Sequence, residues 1–236
     1  MGQAPPRAVL LDVEGTTTAI SFVTDVLFPF ARERMRAALG DVAPGDALAE
    51  AVERLRGEWQ DDPALRATAP EFGDGAAVAL ALMAEDRKSP GLKAIQGILW
   101  KEGYRSGELR AHVFDDVPAA LRRWRAAGLR LCIFSSGSVL AQQLLFTHTT
   151  AGDLTPLLDG YFDTTTGPKR EAAAYDAIAE QLGLPSSRVL FLSDVIAELD
   201  AARAAGLQTG LVERPGNAPV GESDHPRHTG FDSVLP

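Results

Sequence analysis

The sequence predicts an α/β protein: a doubly wound, Rossmann-like parallel sheet with an all-helical domain inserted after its first strand. Three observations predict it. Residues 8 to 12 form a short apolar run ending in the carboxylate of Asp12, too short and too apolar for an amphipathic helix. From residue 115 onward, strand-length apolar runs alternate with helical patterns, as in a parallel sheet. Between these two regions the pattern is helical and contains no convincing strand. The predicted division is a core of residues 1–17 and 110–236 around a helical domain of residues 18–109.

Taken in order, the first strand turns at Gly15-Thr16. Thr24 is placed to N-cap a helix running to Gly40, with Pro29 as its awkward point. Leu48, Val52, Leu55 and Trp59 repeat at helical spacing, as do Val78, Leu82 and Met83. Ser89-Pro90 resembles a cap followed by proline at the first helical position, and Leu92, Ile95 and Leu99 continue an apolar face. Asp115-Asp116 opens a helix carrying Leu121 and Trp124, which Gly128 ends. Leu129 to Phe134 is a buried strand, Val139 to Phe146 a helix and Tyr161-Phe162 a short strand. Glu171 to Leu182 is a helix stopped by Gly183 and Pro185; Val189 to Leu192 is a strand, Ile196 to Ala205 a helix, and Thr209 to Val212 the last strand. The Pro-, Gly-, His- and Asp-rich tail from Pro215 is expected to be irregular, with His225 and His228 solvated.

The chain of 236 residues carries a formal charge of −9, which argues against a general nucleic-acid binder with its basic footprint. An anionic substrate is not excluded, because the local field matters more than the net charge. Cys132 is the single cysteine, so no intrachain disulfide forms, in keeping with a reducing, cytoplasmic setting. The N-terminus, Met1 to Arg7, lacks the apolar segment of a secretory signal, and Pro6 stands where a myristoylation signal needs Ser or Thr. No apolar run approaches the ~18 residues of a membrane span.

Chemistry concentrates at strand ends, where open α/β sheets hold ligands. Asp12-Val13-Glu14-Gly15-Thr16 follows the first strand. Ser135-Ser136-Gly137-Ser138 follows Phe134, and Ser193-Asp194 follows Leu192, with Glu198 four residues on. Gly167-Pro168-Lys169 precedes a helix. In a parallel sheet these ends share one edge, so Asp12, Glu14, Ser135, Ser136, Lys169 and Asp194 are expected to converge. Each also has a plainer reading. Asp12 and Asp194 serve as helix caps elsewhere, the serine run is an ordinary N-cap and turn, and a lone lysine is usually solvated.

The order DxEGT, SSGS, Lys and SDxxxE resembles the motifs of the haloacid dehalogenase-like phosphatases. More narrowly, LLDVEGTTTAISFVTDVLFPFA, QGILW, IFSSGSVLAQQLLF and RPGNA are similar to the enolase-phosphatase (acireductone synthase) family of methionine salvage. The resemblance implies a Mg²⁺-dependent enzyme that enolises 2,3-diketo-5-methylthiopentyl-1-phosphate and hydrolyses the enol phosphate. It implies Asp12 as nucleophile, Glu14 as acid/base, Lys169 as the charge neutralising phosphate, and Ser135 and Ser136 as phosphate contacts. Asp12, Asp194 and an oxygen of Glu14 would hold the metal, and Glu198 would orient these groups from behind. The helical insertion would act as a cap, on whose last helix Lys93, Gln96 and Trp100 lie about one turn apart and either meet the rest of the substrate or simply pack. The resemblance suggests a monomer. Arg214-Pro215-Gly216-Asn217 has no role derivable from sequence beyond a turn near the site edge.

The family's most distinctive departure is Glu14, since the wider superfamily usually places Asp there. The rivals are a capped phosphatase for another small phosphate ester and, outside enzymes, a receiver-type domain with a phospho-accepting Asp. Against the receiver stands a roughly 90-residue insertion where an ordinary βα connection needs ~2–6 residues. A haloacid dehalogenase needs no metal, and so has no use for the Glu14–Asp194 arrangement.

Overall fold

The computed structural model describes residues 4–87 and 89–235. Met1 to Gln3, on which part of the N-terminal reading rests, lie outside the described residues, as do Lys88 and Pro236. In chain order, β1 (Ala8–Leu11) leads to α1 (Ile20–Phe22), a π-helical turn (Val23–Leu27) and α2 (Phe28–Gly40). There follow α3 (Ala47–Asp61), α4 (Pro63–Thr68), α5 (Ala76–Ala84), α6 (Pro90–Ser106) and α7 (Val117–Ala126). Then come β2 (Arg130–Phe134), α8 (Val139–Thr147), β3 (Gly160–Phe162), α9 (Ala172–Leu182), β4 (Val189–Ser193), α10 (Ile196–Ala204), β5 (Gln208–Val212) and β6 (Arg227–His228). The chain divides into two compact units, Met1–Val23 with Arg110–Pro236, and Thr24–Leu109.

In the first unit the described strands form one sheet in the order β3-β2-β1-β4-β5-β6, with every pairing parallel. The four residues of β1 are wholly buried because both faces are covered, which is why they read as an unbroken apolar run. Ala8 and Leu10 point into a cluster with Phe134, Phe191, Tyr175, Ile178 and Leu199. From β1 the chain winds outward through β2 and β3, then crosses back to place β4 on the other side of β1. That reversal puts the topological switch at the carboxyl end of β1, where such sheets bind ligands.

The described tail is irregular, as expected, except for the two-residue β6 and a 3-10 turn at Phe231–Ser233. β6 pairs with β5, because the outer amides of β5 and its extension need acceptors: Leu211 N–H donates to Pro226 O at 2.8 Å and Glu213 N–H to His228 O at 2.8 Å. His225 is not solvated. It is buried against Thr209 Oγ1 (2.7 Å) and Asp200 Oδ1 (3.1 Å).

In the helical unit the Thr24 cap does not form. Helix starts four residues earlier, at Ile20, and a π turn precedes Pro29. Proline lacks an N–H and its ring crowds the carbonyl four residues back; the wider turn relieves both demands. Thr24 instead donates to Asp25 Oδ1 at 2.8 Å. α4, unmarked by apolar periodicity, is nucleated by Asp62, which accepts from Ala64 N–H and Leu65 N–H ahead of Pro63. Ser89 caps α6 through Leu92 N–H at 3.0 Å, and Gly107 ends it in the left-handed region. A Cβ on Gly91 would lie 2.6 Å from Leu55 N, so α3 and α6 touch backbone to backbone there. Among the described residues no helix is long and apolar enough to cross a membrane.

Candidate active site

Asp12 is the first residue beyond β1, and only 5% of it is exposed. Its N–H continues the ladder to Leu192 O at 3.0 Å, so the strand pairing fixes its backbone. Lys169 Nζ meets Asp12 Oδ1 at 2.5 Å and Glu198 Oε2 at 2.6 Å. Tyr175 donates its hydroxyl to Lys169 O at 2.7 Å from between Phe134 and Phe191, which fixes the root of the lysine. Burial by itself would lower the Lys169 ammonium, but the Asp12 and Glu198 carboxylates outweigh it and hold the lysine above its usual range, so it stays charged.

Asp194 sits at the end of β4. Its N–H donates to Thr16 Oγ1 (3.1 Å), and the same hydroxyl donates to Asp12 Oδ2 over a long 3.4 Å. Asp194 does not cap α10, whose N-cap is Val195, without a side-chain bond. Its Oδ2 accepts from Asn217, whereas Oδ1 is buried with no hydrogen-bond partner. Burial first, and then the charge of Asp12, push Asp194 up to about 7.

Asp12 and Glu198 share the Lys169 ammonium, and Asp194 lies within electrostatic reach of all three, a formal excess of two negative charges in a buried cluster. An orphaned carboxylate oxygen and an unbalanced −2 are what a divalent cation would satisfy, and Mg²⁺ takes only one or two carboxylates, completing its shell with water and substrate oxygens. Among the described residues no group of three or more His, Cys, Asp or Glu side chains is arranged to hold a metal ion by itself. The Glu14 residue is exposed, and an oxygen from it would add to those of Asp12 and Asp194.

Ser135 lies just beyond β2, the strand paired to β1 with Leu11 opposite Ile133. It is buried, and its Oγ accepts from Gly137 N–H at 3.2 Å. Ser136 is half-buried, and it is Ser138 that caps α8, through Ala141 N–H at 3.3 Å. The turn is held by Gln142, whose amide donates to Gly137 O (2.9 Å) and Phe162 O (2.8 Å). Sequence reasoning passed over Gln142 and Tyr175 because both read as ordinary helix residues.

In the helical unit Gln96 and Trp100 are buried and Lys93 half-buried. Trp100 donates its indole N–H to Leu27 O at 2.9 Å and stacks on Phe28 with centroids 6.4 Å apart.

A family model for haloacid dehalogenase-like hydrolases matches residues 6–206. The chain is 53% identical to an enolase-phosphatase E1 from Sorangium cellulosum, across the whole of both chains. It is 50% identical to one from Synechococcus elongatus, covering 96% of each. Among solved structures it resembles the UTR4 protein of Saccharomyces cerevisiae, with a TM-score of 0.82 and 35% identity over 97% of this chain and 100% of the other. It shares its fold with CbbY from Rhodobacter sphaeroides, with a TM-score of 0.60 at 20% identity over 97% and 96%.

Proposed function

The chain belongs to the haloacid dehalogenase-like hydrolases and, within them, to the enolase-phosphatase E1 family, and on that footing we propose how its residues carry out the two-step reaction. The substrate is a phosphorylated diketone, 2,3-diketo-5-methylthiopentyl-1-phosphate. Enolisation removes a proton from the carbon beside a carbonyl, and exposed Glu14, on the loop after β1, is the base for it, while the carbonyl oxygen takes a proton from water to give the enol; the later attack of water on phosphorus returns a proton to solvent. Asp12 Oδ2, the oxygen not paired to Lys169, then attacks phosphorus. The P–O bond to the enol breaks, the acireductone leaves with a proton from Glu14, and an aspartyl-phosphate remains. Water attacks that phosphorus, releasing orthophosphate and restoring Asp12.

Phosphate-monoester hydrolysis needs rate enhancements of up to ~10²¹-fold, and two anions must meet in it. Lys169 supplies a fixed positive charge at the attacked side, and Ser135 with the amides of its turn donates to the phosphoryl oxygens. Mg²⁺, when bound by Asp12, Asp194 and an oxygen of Glu14, supplies charge neutralisation for the transferring group. Ser136 is a further phosphate contact. The helical unit selects the part of the substrate beyond phosphate, with Lys93, Gln96 and Trp100 as its candidate contacts.

The observation that carries this reading is the Lys169 bridge between Asp12 and Glu198 beside the unpartnered Asp194 Oδ1. The test follows enol absorbance and phosphate release from the diketo substrate with Mg²⁺. Wild type should show both signals and EDTA should remove phosphate release. Asp12→Asn should lower phosphate release at least ~10³-fold; full release by that variant would show that the nucleophile is elsewhere.

A further inference from the structure

The turn Arg214-Pro215-Gly216-Asn217 lies after β5, far along the chain from the nucleophile, yet it grips the loop that carries it. Asn217 Nδ2 donates to Gly15 O at 2.8 Å and to Asp194 Oδ2 at 3.0 Å. Both partners are acceptors only, so the atom facing them is the amide nitrogen, and its two hydrogens are both used. Gly15 takes φ +71°, and a Cβ there would stand 2.2 Å from Asp194 Oδ2 and 2.9 Å from Asn217 Nδ2. The glycine is what lets the carboxylate and the amide close on the loop.

Arg214 holds the next residue. Its Nε donates to Thr16 O at 2.9 Å, and Nη1 meets both oxygens of Asp116 at 2.9 and 2.8 Å. Its guanidinium lies between the rings of Phe114 and Phe231, 4.5 and 4.6 Å from their centroids. Asp116 Oδ2 in turn accepts from Phe231 N–H at 2.5 Å, so the tail is tied into the same assembly.

We propose that Asn217 is a positioning residue for divalent-cation binding: it holds Asp194 Oδ2 and the Gly15 carbonyl together, turning the unpartnered Asp194 Oδ1 into the ligand oxygen, while Arg214 fixes the loop. The assignment rests on the cation reading given above. Partners that hold a ligand carboxylate typically set metal affinity by 10–100-fold without touching the metal, which is the effect expected here.

The test is calorimetric titration of Mg²⁺ into the full chain, with melting in EDTA alongside. Asn217→Ala should raise the Mg²⁺ dissociation constant by ~10–100-fold, with kcat recovering at saturating Mg²⁺. Asn217→Ser keeps a polar side chain in the turn but is too short to bridge both acceptors. It carries the same expectation should the alanine variant fold poorly. A purely structural role predicts the reverse, a lower melting point in EDTA with Mg²⁺ affinity unchanged, and that result in either folded variant overturns the assignment. If wild type itself takes up no Mg²⁺, the cation reading fails and the assignment with it; that outcome is visible before any variant is made.

Discussion

Replacing Gly15 with alanine loads the loop after β1 at its tightest point. The backbone stands at φ +71°, where a non-glycine residue pays roughly 1–2 kcal/mol. The added Cβ would lie 2.2 Å from Asp194 Oδ2, far inside van der Waals contact, and the carboxylate can move away only by giving up its Asn217 bond, since the Thr16 hydroxyl holds its backbone N–H. Forcing a group into such a packed site costs about 1–3 kcal/mol more. Together the destabilisation is about 2–5 kcal/mol. For a chain of this size each kcal/mol shifts melting by roughly 2–4 °C, so Gly15→Ala should melt about 4–20 °C below wild type. The assay is thermal denaturation in EDTA, followed by Mg²⁺ titration at a temperature where the variant is folded. Affinity should fall as well, since the clash falls on the carboxylate assigned to the cation. A variant that melts within a degree of wild type and binds Mg²⁺ equally well would refute the interlock of Gly15, Asp194 and Asn217.

Gln96→Ala should raise KM for the diketo substrate while leaving Mg²⁺ affinity unchanged, because an uncharged amide supplies none of the carboxylates proposed to hold the ion; steady-state kinetics beside calorimetry separates the two, and an unchanged KM would remove Gln96 from the substrate contacts. Cys132 is buried on β2, and burial pushes its thiol up to about 12. The native protein at pH 8 should therefore resist a thiol reagent that titrates one thiol per chain in denaturant. The sign of the pH effect follows: above about 9 the unfolded chain releases this proton while the native one keeps it, so stability falls with rising pH, by up to ~1.4 kcal/mol per unit. Urea melts of wild type and Cys132→Ala across pH 8 to 10 should diverge in that direction, and parallel curves would contradict it.

Much of the core was legible because its strands are buried on both faces. Val9-Leu10-Leu11 and Leu131-Cys132-Ile133-Phe134 read as strands without any tertiary information, and the polar residues after them read as chemistry because strand ends are where an apolar run must stop. The positions of Asp12 and Asp194 followed from that, whereas Lys169, which precedes a helix and ends no strand, was singled out only by its place between the motifs. The two-residue strand β6 was not legible. Arg227-His228 has no strand composition, and it pairs because the edge of β5 lacks acceptors. The short helix α4 was missed for a different reason: six residues show no period, and its cue, Asp62-Pro63, is a cap without an apolar face. Arg214 and Asn217 were visible as a motif but not as a device, since the carbonyls they hold lie 198 and 202 residues upstream.

On the cation reading proposed above, the residue types around Asp194 are the ones a cation site needs. A lysine or arginine in the place of Asn217 would orient Asp194 equally well, but its charge would neutralise the carboxylate and compete with a divalent ion. A neutral amide orients Oδ2 and leaves the charge in place. The cationic residues nearby are committed elsewhere. Lys169 is held by Asp12 and Glu198, and Arg214 gives its charge to Asp116, reaching the loop only through an N–H to the neutral Thr16 carbonyl. On the function proposed above, the fixed positive charge of Lys169 stands beside the nucleophile, Asp12 and Glu198 share it with one negative charge left over, and Asp194 adds a second that a neutral amide orients.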